Sequence, residues 1–237
     1  MEKIITYETL RSFAYSNDHL IRGEIRGIVL NFYGLNNLTI HQSDPGEGLE
    51  YAEQGILYVI PFSNPWAWMN RQTVAYVDEI VAVLCEKYRL GDTVKVVSSG
   101  GSMGGLSALV YCVYARITPC ACVVNCPVCD LPMHFGERPD LPRTLYSAFG
   151  TYEESMQQAL QSASPLHLVD RMPDIPYSIF HCVQDQMVSF EWHAVPFVKA
   201  MQKAHRITLT EVPHRKHCDL SAQARVQYNQ AILDALQ

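Results

Sequence analysis

A serine flanked by glycines carries the most specific chemical signal in the sequence. The segment GGSMG (residues 100–104) fits the pattern G-x-S-x-G, directly follows a strand-like segment (residues 93–98) and opens a helix-like one (residues 103–116). A sharp turn from strand to helix strains the backbone of its serine and exposes the hydroxyl above the sheet. This context predicts that Ser102 is a nucleophile. A glycine-rich turn with an incidental serine is the alternative.

A serine nucleophile needs a base, and the base needs an acid that orients it. On a sheet of this kind the acid and then the base follow the serine along the chain, each after a strand. Asp185 follows residues 177–183 and His217 follows residues 207–212, so both stand where the order requires. His214 is the alternative base, but His217 is closer to the last helix and sits in a better-held loop. Asp185 has the alternative role of a turn former or helix N-cap.

Hydrophobic periodicity predicts the elements that must position these residues. Apolar, strand-like runs alternate with helical patterns along the chain, which is typical of a parallel sheet covered on both faces. The predicted strands are residues 27–33, 56–61, 93–98, 121–125, 177–183 and 207–212, with an edge strand or hairpin in residues 4–16. Helices are predicted from residue 74 to 88, from 103 to 116 and from 221 to 236. The expected fold class is α/β.

Length and composition limit the classes of protein that the chain can belong to. The 237 residues are 48% hydrophobic, which favours a single domain over residues 1–237 and excludes a disordered chain. A net charge of −6 without a basic cluster argues against nucleic acid or a membrane surface as a partner. Because no secretory h-region is evident and the cysteines crowd together, we expect reduced thiols in a cytoplasmic protein.

One stretch is too long for an ordinary connection between strands. Residues 127–165 contain five prolines and a predicted short helix over residues 152–161. Long insertions of this kind are usually lids or binding loops. The stretch is therefore predicted to be a cap over the site, inserted after the fifth or sixth strand, with a surface excursion of no functional role as the alternative.

Two further motifs contain residue types that could take part in chemistry. Cys126-Pro127-Val128-Cys129 has the C-x-x-C spacing, but four cysteines along one strand and its end converge poorly on a tetrahedral metal, so we predict buried thiols and no metal site. Trp66 and Trp68 follow a predicted strand, where they either form a wall of the substrate pocket or pack against the next helix.

Taken together, these residues resemble the α/β-hydrolase superfamily, and within it the prolyl oligopeptidase-like and acetyl-esterase-like branches. The resemblance covers nearly the whole chain and rests on GGSMGG, on IPYSIFHCVQDQMV and on the terminal histidine. NFYGLNN is similar to the segment that carries the oxyanion loop in such esterases, with Tyr33 in place of the usual histidine.

The resemblance implies a serine hydrolase without a cofactor that acts on a small ester or a short peptide. Ser102 attacks the acyl carbonyl, His217 takes its proton and Asp185 fixes the imidazole. The oxyanion is expected on the backbone N–H groups of Met103 and Leu35. Ester hydrolysis is favoured because peptidases of this branch normally carry a propeller, for which 237 residues leave no room. The alternatives are a short-peptide peptidase and a non-catalytic ligand-binding protein; a homo-oligomer is compatible with the sequence.

Overall fold

A computed structural model describes residues 4–91 and 93–237 and contains a twisted seven-stranded sheet. The strands are β1 (Ala14–Ser16), β2 (Gly27–Phe32), β3 (Ile56–Pro61), β4 (Val96–Gly101), β5 (Ala121–Asn125), β6 (Tyr177–Cys182) and β7 (Ile207–Val212). Their order across the sheet is β1-β3-β2-β4-β5-β6-β7, with β1 antiparallel to β3 and every other pair parallel. The carboxyl ends of β2 to β7 therefore meet at one edge of the sheet.

The helices cover both faces of this sheet. In chain order they are α1 (Gly46–Ala52), α2 (Arg71–Tyr88), α3 (Met103–Tyr114), α4 (Leu131–His134), α5 (Leu141–Phe149), α6 (Met156–Ser162), α7 (Val195–Met201) and α8 (Ala222–Leu236). Apolar side chains of α1 and α8 join the core on one face, and those of the remaining helices join the larger core on the other. The predicted α/β class, with a mostly parallel sheet between helical layers, is confirmed.

Burial on both faces explains why the central strands read as continuous apolar runs. In β2, Ile28 and Leu30 belong to one core while Val29 between them belongs to the other. Successive side chains of a strand point to opposite faces, so a strand covered on both sides needs apolar residues at every position. β7 is at the sheet edge, and its side chains are mostly half-exposed.

The structure corrects several predicted boundaries. Strand β4 begins at Val96 and continues through Gly101, because the two glycines stay in the ladder beside β5. Within residues 4–16 only Ala14–Ser16 is a strand, which forms the antiparallel edge. The long connection after β5 holds α4, α5 and α6, and the helix predicted over residues 152–161 begins at Met156, where Ser155 forms its capping box.

In the described part of the chain, no helix combines the length and the apolar character needed to cross a lipid bilayer.

Candidate active site

Ser102 lies at a strained turn between β4 and α3. Its backbone has φ 60° and ψ −126°, a conformation that non-glycine residues rarely adopt. The turn is held by its neighbours: the Ser102 N–H donates to the Asn125 carbonyl at 3.0 Å, and the Ser102 carbonyl accepts from the Leu106 amide at 3.1 Å. The strained geometry expected of a nucleophile turn is thus fixed by β5 and by the first turn of α3.

Glycine at position 104 allows α3 to approach β2 closely. A Cβ on Gly104 would lie 2.0 Å from the Phe32 carbonyl oxygen, and one on Gly100 would lie 2.6 Å from the Gly104 carbonyl oxygen. Real Cβ atoms do not approach backbone oxygens this closely, so neither position accepts a side chain without movement of the backbone. The turn that presents Ser102 therefore depends on this close packing.

We expect Gly104→Ala to lower the free energy of unfolding by about 3 kcal/mol or more, because the backbone of β2 must move to admit the methyl group. Urea unfolding at pH 7 measures the loss. Gly46→Ala is the matched control: nothing lies within 4 Å of a Cβ at Gly46, and we expect a change within about 1 kcal/mol. Equal stability of the two variants would contradict the close approach.

Asp185 lies in the loop after β6 and is buried. Its Oδ1 accepts hydrogen bonds from the amides of Met187 at 2.8 Å and Val188 at 3.0 Å, and its Oδ2 accepts from His217 Nδ1 at 2.6 Å. Burial by itself raises the pKa of this carboxyl, but the hydrogen bonds from His217 and from the two amides outweigh it and hold the pKa below the ordinary value. Asp185 is therefore anionic when it meets His217.

The two histidines after β7 occupy different environments. His217 is partly exposed and donates from Nδ1 to Asp185, which leaves Nε2 with a free electron pair. His214 is exposed at a left-handed position, with φ 58°. Of the two candidate bases, His217 is the one that the structure brings to Asp185.

Ser102 and His217 line the same cleft, which has a volume of about 460 Å³ and opens at the carboxyl edge of the sheet. Within the described residues they are not hydrogen-bonded to each other, and Cys218 Sγ lies 3.7 Å from His217 Nε2. Hydrogen bonds between catalytic groups often form only when substrate binds. The cleft is of a size that takes a small organic ligand.

The loop after β2 lies against the serine turn. A Cβ on Gly34 would lie 3.7 Å from the Ser102 Cβ, and both Gly34 and Leu35 line the cleft. The amides of Asn36 and Asn37 donate to Pro65 and Gly34 carbonyls, whereas no hydrogen bond from the Leu35 amide occurs among the described residues. Leu35 thus has an amide available at the site.

Trp66 and Trp68 occupy different places. Trp68 is buried, lines the cleft and donates from Nε1 to Thr144 at 2.9 Å. Trp66 lines a neighbouring cavity rather than the cleft beside Ser102, but its Nε1 donates at 2.6 Å to Asn36, which does line that cleft. Of these two side chains only that of Trp68 lines the cleft, and almost none of it is exposed.

A hydrogen-bonded network, which the sequence did not predict, anchors the segment after β5. Glu137 accepts hydrogen bonds from His134 Nδ1 and, at 3.0 Å, from His193 Nε2. His193 Nδ1 accepts from the amides of Cys129 and Asp130, both at 3.2 Å, so the proton of this imidazole is on Nε2. His134 and Glu137 are only three residues apart, but His193 lies 56 residues after Glu137, and no local spacing signals its contact.

This network makes stability depend on pH. Burial raises the pKa of Glu137, but the hydrogen bonds from His134 and His193 outweigh it and lower the pKa to about 2. A depressed carboxyl pKa stabilises the fold above the unfolded pKa of about 4.5, and this stabilisation is lost as the pH falls toward 2.

We therefore expect the free energy of unfolding of the wild type to fall more steeply than that of Glu137→Gln between pH 4 and pH 3. The difference in slope should be about 1 kcal/mol per pH unit. Urea unfolding at several pH values measures both slopes. Parallel slopes would show that Glu137 is not stabilised as an anion in the folded protein.

His181 is a second residue that sequence reasoning missed. It is buried directly before the Asp185 loop, and its Nε2 donates to the Val188 carbonyl at 3.0 Å while lying 3.8 Å from Asp185 Oδ2. Burial is the main cause that lowers its pKa to about 4, so the imidazole is neutral at pH 7. Its position within the motif IPYSIFHCVQDQMV was the only signal available from the sequence.

Solved structures share this fold at low sequence identity. An S-formylglutathione hydrolase from Agrobacterium tumefaciens matches with a TM-score of 0.65 and 16% identity over 90% of this chain and 84% of that one. Est1E from Butyrivibrio proteoclasticus matches with a TM-score of 0.60 and 15% identity over 94% and 93%. The Pyrococcus horikoshii acylaminoacyl peptidase matches with a TM-score of 0.66 and 13% identity over 90% of this chain but only 37% of its own length. These similarities establish the α/β-hydrolase fold.

No curated protein sequence matches the chain. A family model, however, does match. The model of the prolyl oligopeptidase family, Peptidase_S9, matches residues 67–236, which is more than half of the chain and includes the serine turn and the loops after β6 and β7. With its α/β-hydrolase fold, the chain therefore belongs to the prolyl oligopeptidase family of serine hydrolases.

Proposed function

We propose that the protein is a serine hydrolase that cleaves carboxylic esters through an acyl-enzyme formed on Ser102. The observation that carries this proposal is the placement of Ser102, on a strained turn, in the same cleft as the hydrogen-bonded pair of His217 and Asp185. Binding a ligand without turnover requires neither a strained serine nor an oriented imidazole. A non-catalytic ligand-binding protein is therefore the less favoured alternative.

The reaction begins when Ser102 Oγ attacks the carbonyl carbon of the ester. His217 Nε2 takes the hydroxyl proton, and Asp185 stabilises the imidazolium that results. The carbonyl oxygen becomes an oxyanion, which the amides of Met103 and Leu35 stabilise. Met103 is the first residue of α3, where a helix leaves N–H groups without an intrahelical partner.

Collapse of the tetrahedral intermediate expels the alcohol, which receives the proton from His217. Water then attacks the acyl-enzyme and gives its proton to His217 Nε2. The second tetrahedral intermediate releases the carboxylic acid and returns the proton to Ser102. Each proton taken by the imidazole is thus returned within the cycle, and no cofactor is needed.

The preference for esters over peptides is supported by the extent of the structural similarities. The chain covers most of the length of Est1E and of the S-formylglutathione hydrolase, but about a third of the acylaminoacyl peptidase. Membership of the prolyl oligopeptidase family supports the second candidate, a peptidase acting on short peptides. Both activities use the same serine and base, so they differ in the substrate alone.

A fluorophosphonate probe followed by a substrate panel tests the proposal. We expect the probe to label Ser102 and p-nitrophenyl esters to be turned over. Turnover of aminoacyl anilides with rates equal to or above those of the esters would favour the peptidase. Absence of both labelling and turnover in folded protein would overturn the hydrolase proposal and favour the ligand-binding protein.

The segment of residues 127–165 is proposed to act as a cap within a single domain. His134 and Arg138 from this segment line the cleft beside Ser102, which supports a role in shaping the substrate site. The segment also contributes to the main core, because Leu141, Leu145 and Phe149 are fully or almost fully buried. Removing the whole segment would therefore disturb the fold, and single substitutions are the better test.

We expect Arg138→Ala to change the ratio of kcat/KM between bulky and short-chain esters by about tenfold in favour of the bulky ester, because the variant enlarges the cleft. The matched control is Arg143→Ala. Arg143 belongs to the same segment, but its guanidinium stacks on Trp66 outside the cleft. A ratio that does not change in Arg138→Ala would contradict the cap.

A further inference from the structure

Two thiols and the imidazole of His217 converge at the edge of the cleft. The donor atoms of Cys126, His217 and Cys218 all lie within 4.8 Å of one another, and Cys218 Sγ is 3.7 Å from His217 Nε2. Around a tetrahedral zinc ion with ordinary Zn–S and Zn–N bonds, sulfur and nitrogen ligands stand about 3.5 Å apart. The separations therefore match a tetrahedral metal after only small side-chain movements.

The backbone holds both cysteines in place. Cys126 follows β5 with φ 46°, and its amide donates to the Phe180 carbonyl at 2.7 Å. Cys218 has φ 56°, and its carbonyl accepts from Asn125 Nδ2 at 3.1 Å. Left-handed backbone at two non-glycine residues is uncommon, and here it places both thiols beside one imidazole.

The groups around the three donors suit a metal as well as they suit catalysis. Asp185 holds the proton of His217 on Nδ1, which leaves Nε2 as the ligating nitrogen in the carboxylate–histidine arrangement found at zinc sites. The Cys182 amide donates to Cys126 Sγ at 3.3 Å, a contact that stabilises a thiolate. Neutral imidazole and two thiolates are the donor set that zinc prefers.

We propose that Cys126, Cys218 and His217 bind a thiophilic divalent cation, with Zn²⁺ as the representative ion, and that the bound ion inhibits the enzyme. Two thiol protons leave to solvent when the ion binds, and the two thiolates neutralise its charge. Inhibition follows because the ion occupies the Nε2 electron pair that must accept the proton of Ser102. This second part rests on the proposed function, whereas ion binding does not.

The cation can approach from the cleft. His217 and Cys218 both line it, and the His217 side chain is 25% exposed. Cys126 lies beneath them and is fully buried. The ion would therefore be bound at the wall of the cleft, with its fourth position open to water.

The other groups of potential ligands are already occupied by hydrogen bonds. In the network of His134, Glu137 and His193, two backbone amides point at His193 Nδ1 and require the proton on Nε2, which is the nitrogen that faces Glu137. In the group of Cys126, His181 and Asp185, both carboxylate oxygens already accept hydrogen bonds. Among the described residues, the group that includes Cys218 is held more weakly: Cys218 Sγ donates to the Asn125 carbonyl at 3.7 Å, a bond lost when the thiol ionises, and His217 Nε2 faces no carboxylate or amide.

Zinc affinity of the reduced protein tests the site directly, measured by competition with a chromophoric chelator. We expect one high-affinity Zn²⁺ per chain, and a dissociation constant at least about 100-fold higher in Cys126→Ser and Cys218→Ser. Cys120→Ser is the matched control, because Cys120 directly precedes β5, at the end of the strand opposite to Cys126. The zinc affinity of this variant should equal that of the wild type. Co²⁺ should give the near-ultraviolet absorption of thiolate ligation in the wild type.

Ester turnover under the same conditions tests the inhibition. Zn²⁺ should inhibit the wild type and Cys120→Ser, and EDTA should restore their activity. With each activity expressed relative to the metal-free rate of the same variant, inhibition of Cys218→Ser should require an about 100-fold higher Zn²⁺ concentration. Equal zinc affinity of the wild type and Cys218→Ser, or full activity of the zinc-bound wild type, would overturn the proposal. If the buried Cys126→Ser does not fold, the zinc affinity of Cys218→Ser tests the site by itself.

Failure of this proposal and failure of the proposed function give different results. Ser102→Ala should bind Zn²⁺ as the wild type does, because its three ligands are intact. If the fluorophosphonate probe labels nothing, the hydrolase proposal fails while the zinc affinities of the cysteine variants still decide whether the site exists.

Discussion

Replacing Ser102 with alanine is expected to lower kcat/KM for p-nitrophenyl esters by at least about 10³-fold, because no other group in the proposed mechanism attacks the carbonyl. The loss corresponds to about 4 kcal/mol or more of transition-state stabilisation. The free energy of unfolding should change little, since the backbone bonds of Ser102 to Asn125 and Leu106 do not involve its hydroxyl. Steady-state kinetics and urea unfolding of the same preparation measure both quantities.

Ser147→Ala provides the control for this prediction. Ser147 is an exposed serine in α5, away from the cleft, and its variant should retain wild-type kinetics. Activity of Ser102→Ala within about tenfold of the wild type would contradict the assignment of Ser102 as nucleophile, because losses of a triad member are far larger.

The second large effect is expected at His217. His217→Gln should lower kcat by at least about 10³-fold, because glutamine cannot accept the proton of Ser102. His214→Gln should remain within about twofold of the wild type, since His214 is exposed and contacts neither Asp185 nor the cleft among the described residues. Stopped-flow or steady-state kinetics of the two variants at pH 7 and 8 distinguish them.

If His214→Gln loses activity and His217→Gln keeps it, His214 is the base. In that case the Asp185–His217 hydrogen bond would have only a structural function, and His217→Gln would lower stability rather than kcat. Urea unfolding of both variants separates these outcomes, because loss of the base lowers kcat whereas loss of a structural hydrogen bond lowers the free energy of unfolding.

The positions of the candidate residues in the fold could be predicted where they depend on local order in the sequence. Strand, glycine-rich turn and helix are consecutive in sequence, so the position of Ser102 at the carboxyl edge of the sheet was predictable. Asp185 and His217 were predictable because parallel strands bring their carboxyl ends to one edge. Their 2.6 Å hydrogen bond follows from that topology.

The features that escaped prediction depend on contacts between distant segments. The network of Glu137 joins residues more than 50 positions apart, and Cys218 meets Cys126 across a separation of about 90 residues. Helices α4 and α5 were not predicted within the proline-containing segment of residues 127–165, although proline in a first turn is compatible with a helix. Contacts between distant segments have no periodic signature, whereas α5 does have one, because its buried residues follow the helical i, i+3, i+4 spacing.

The chemical identity of the intermediate tests the central claim most directly. Wild-type protein mixed with p-nitrophenyl acetate and quenched in acid within milliseconds should carry one acetyl group, and peptide mapping by mass spectrometry should place it on Ser102. Acetylation of Cys218, which lines the same cleft, would assign the nucleophile to the thiol instead. Ester turnover with no acetylated protein at any time would contradict an acyl-enzyme on Ser102.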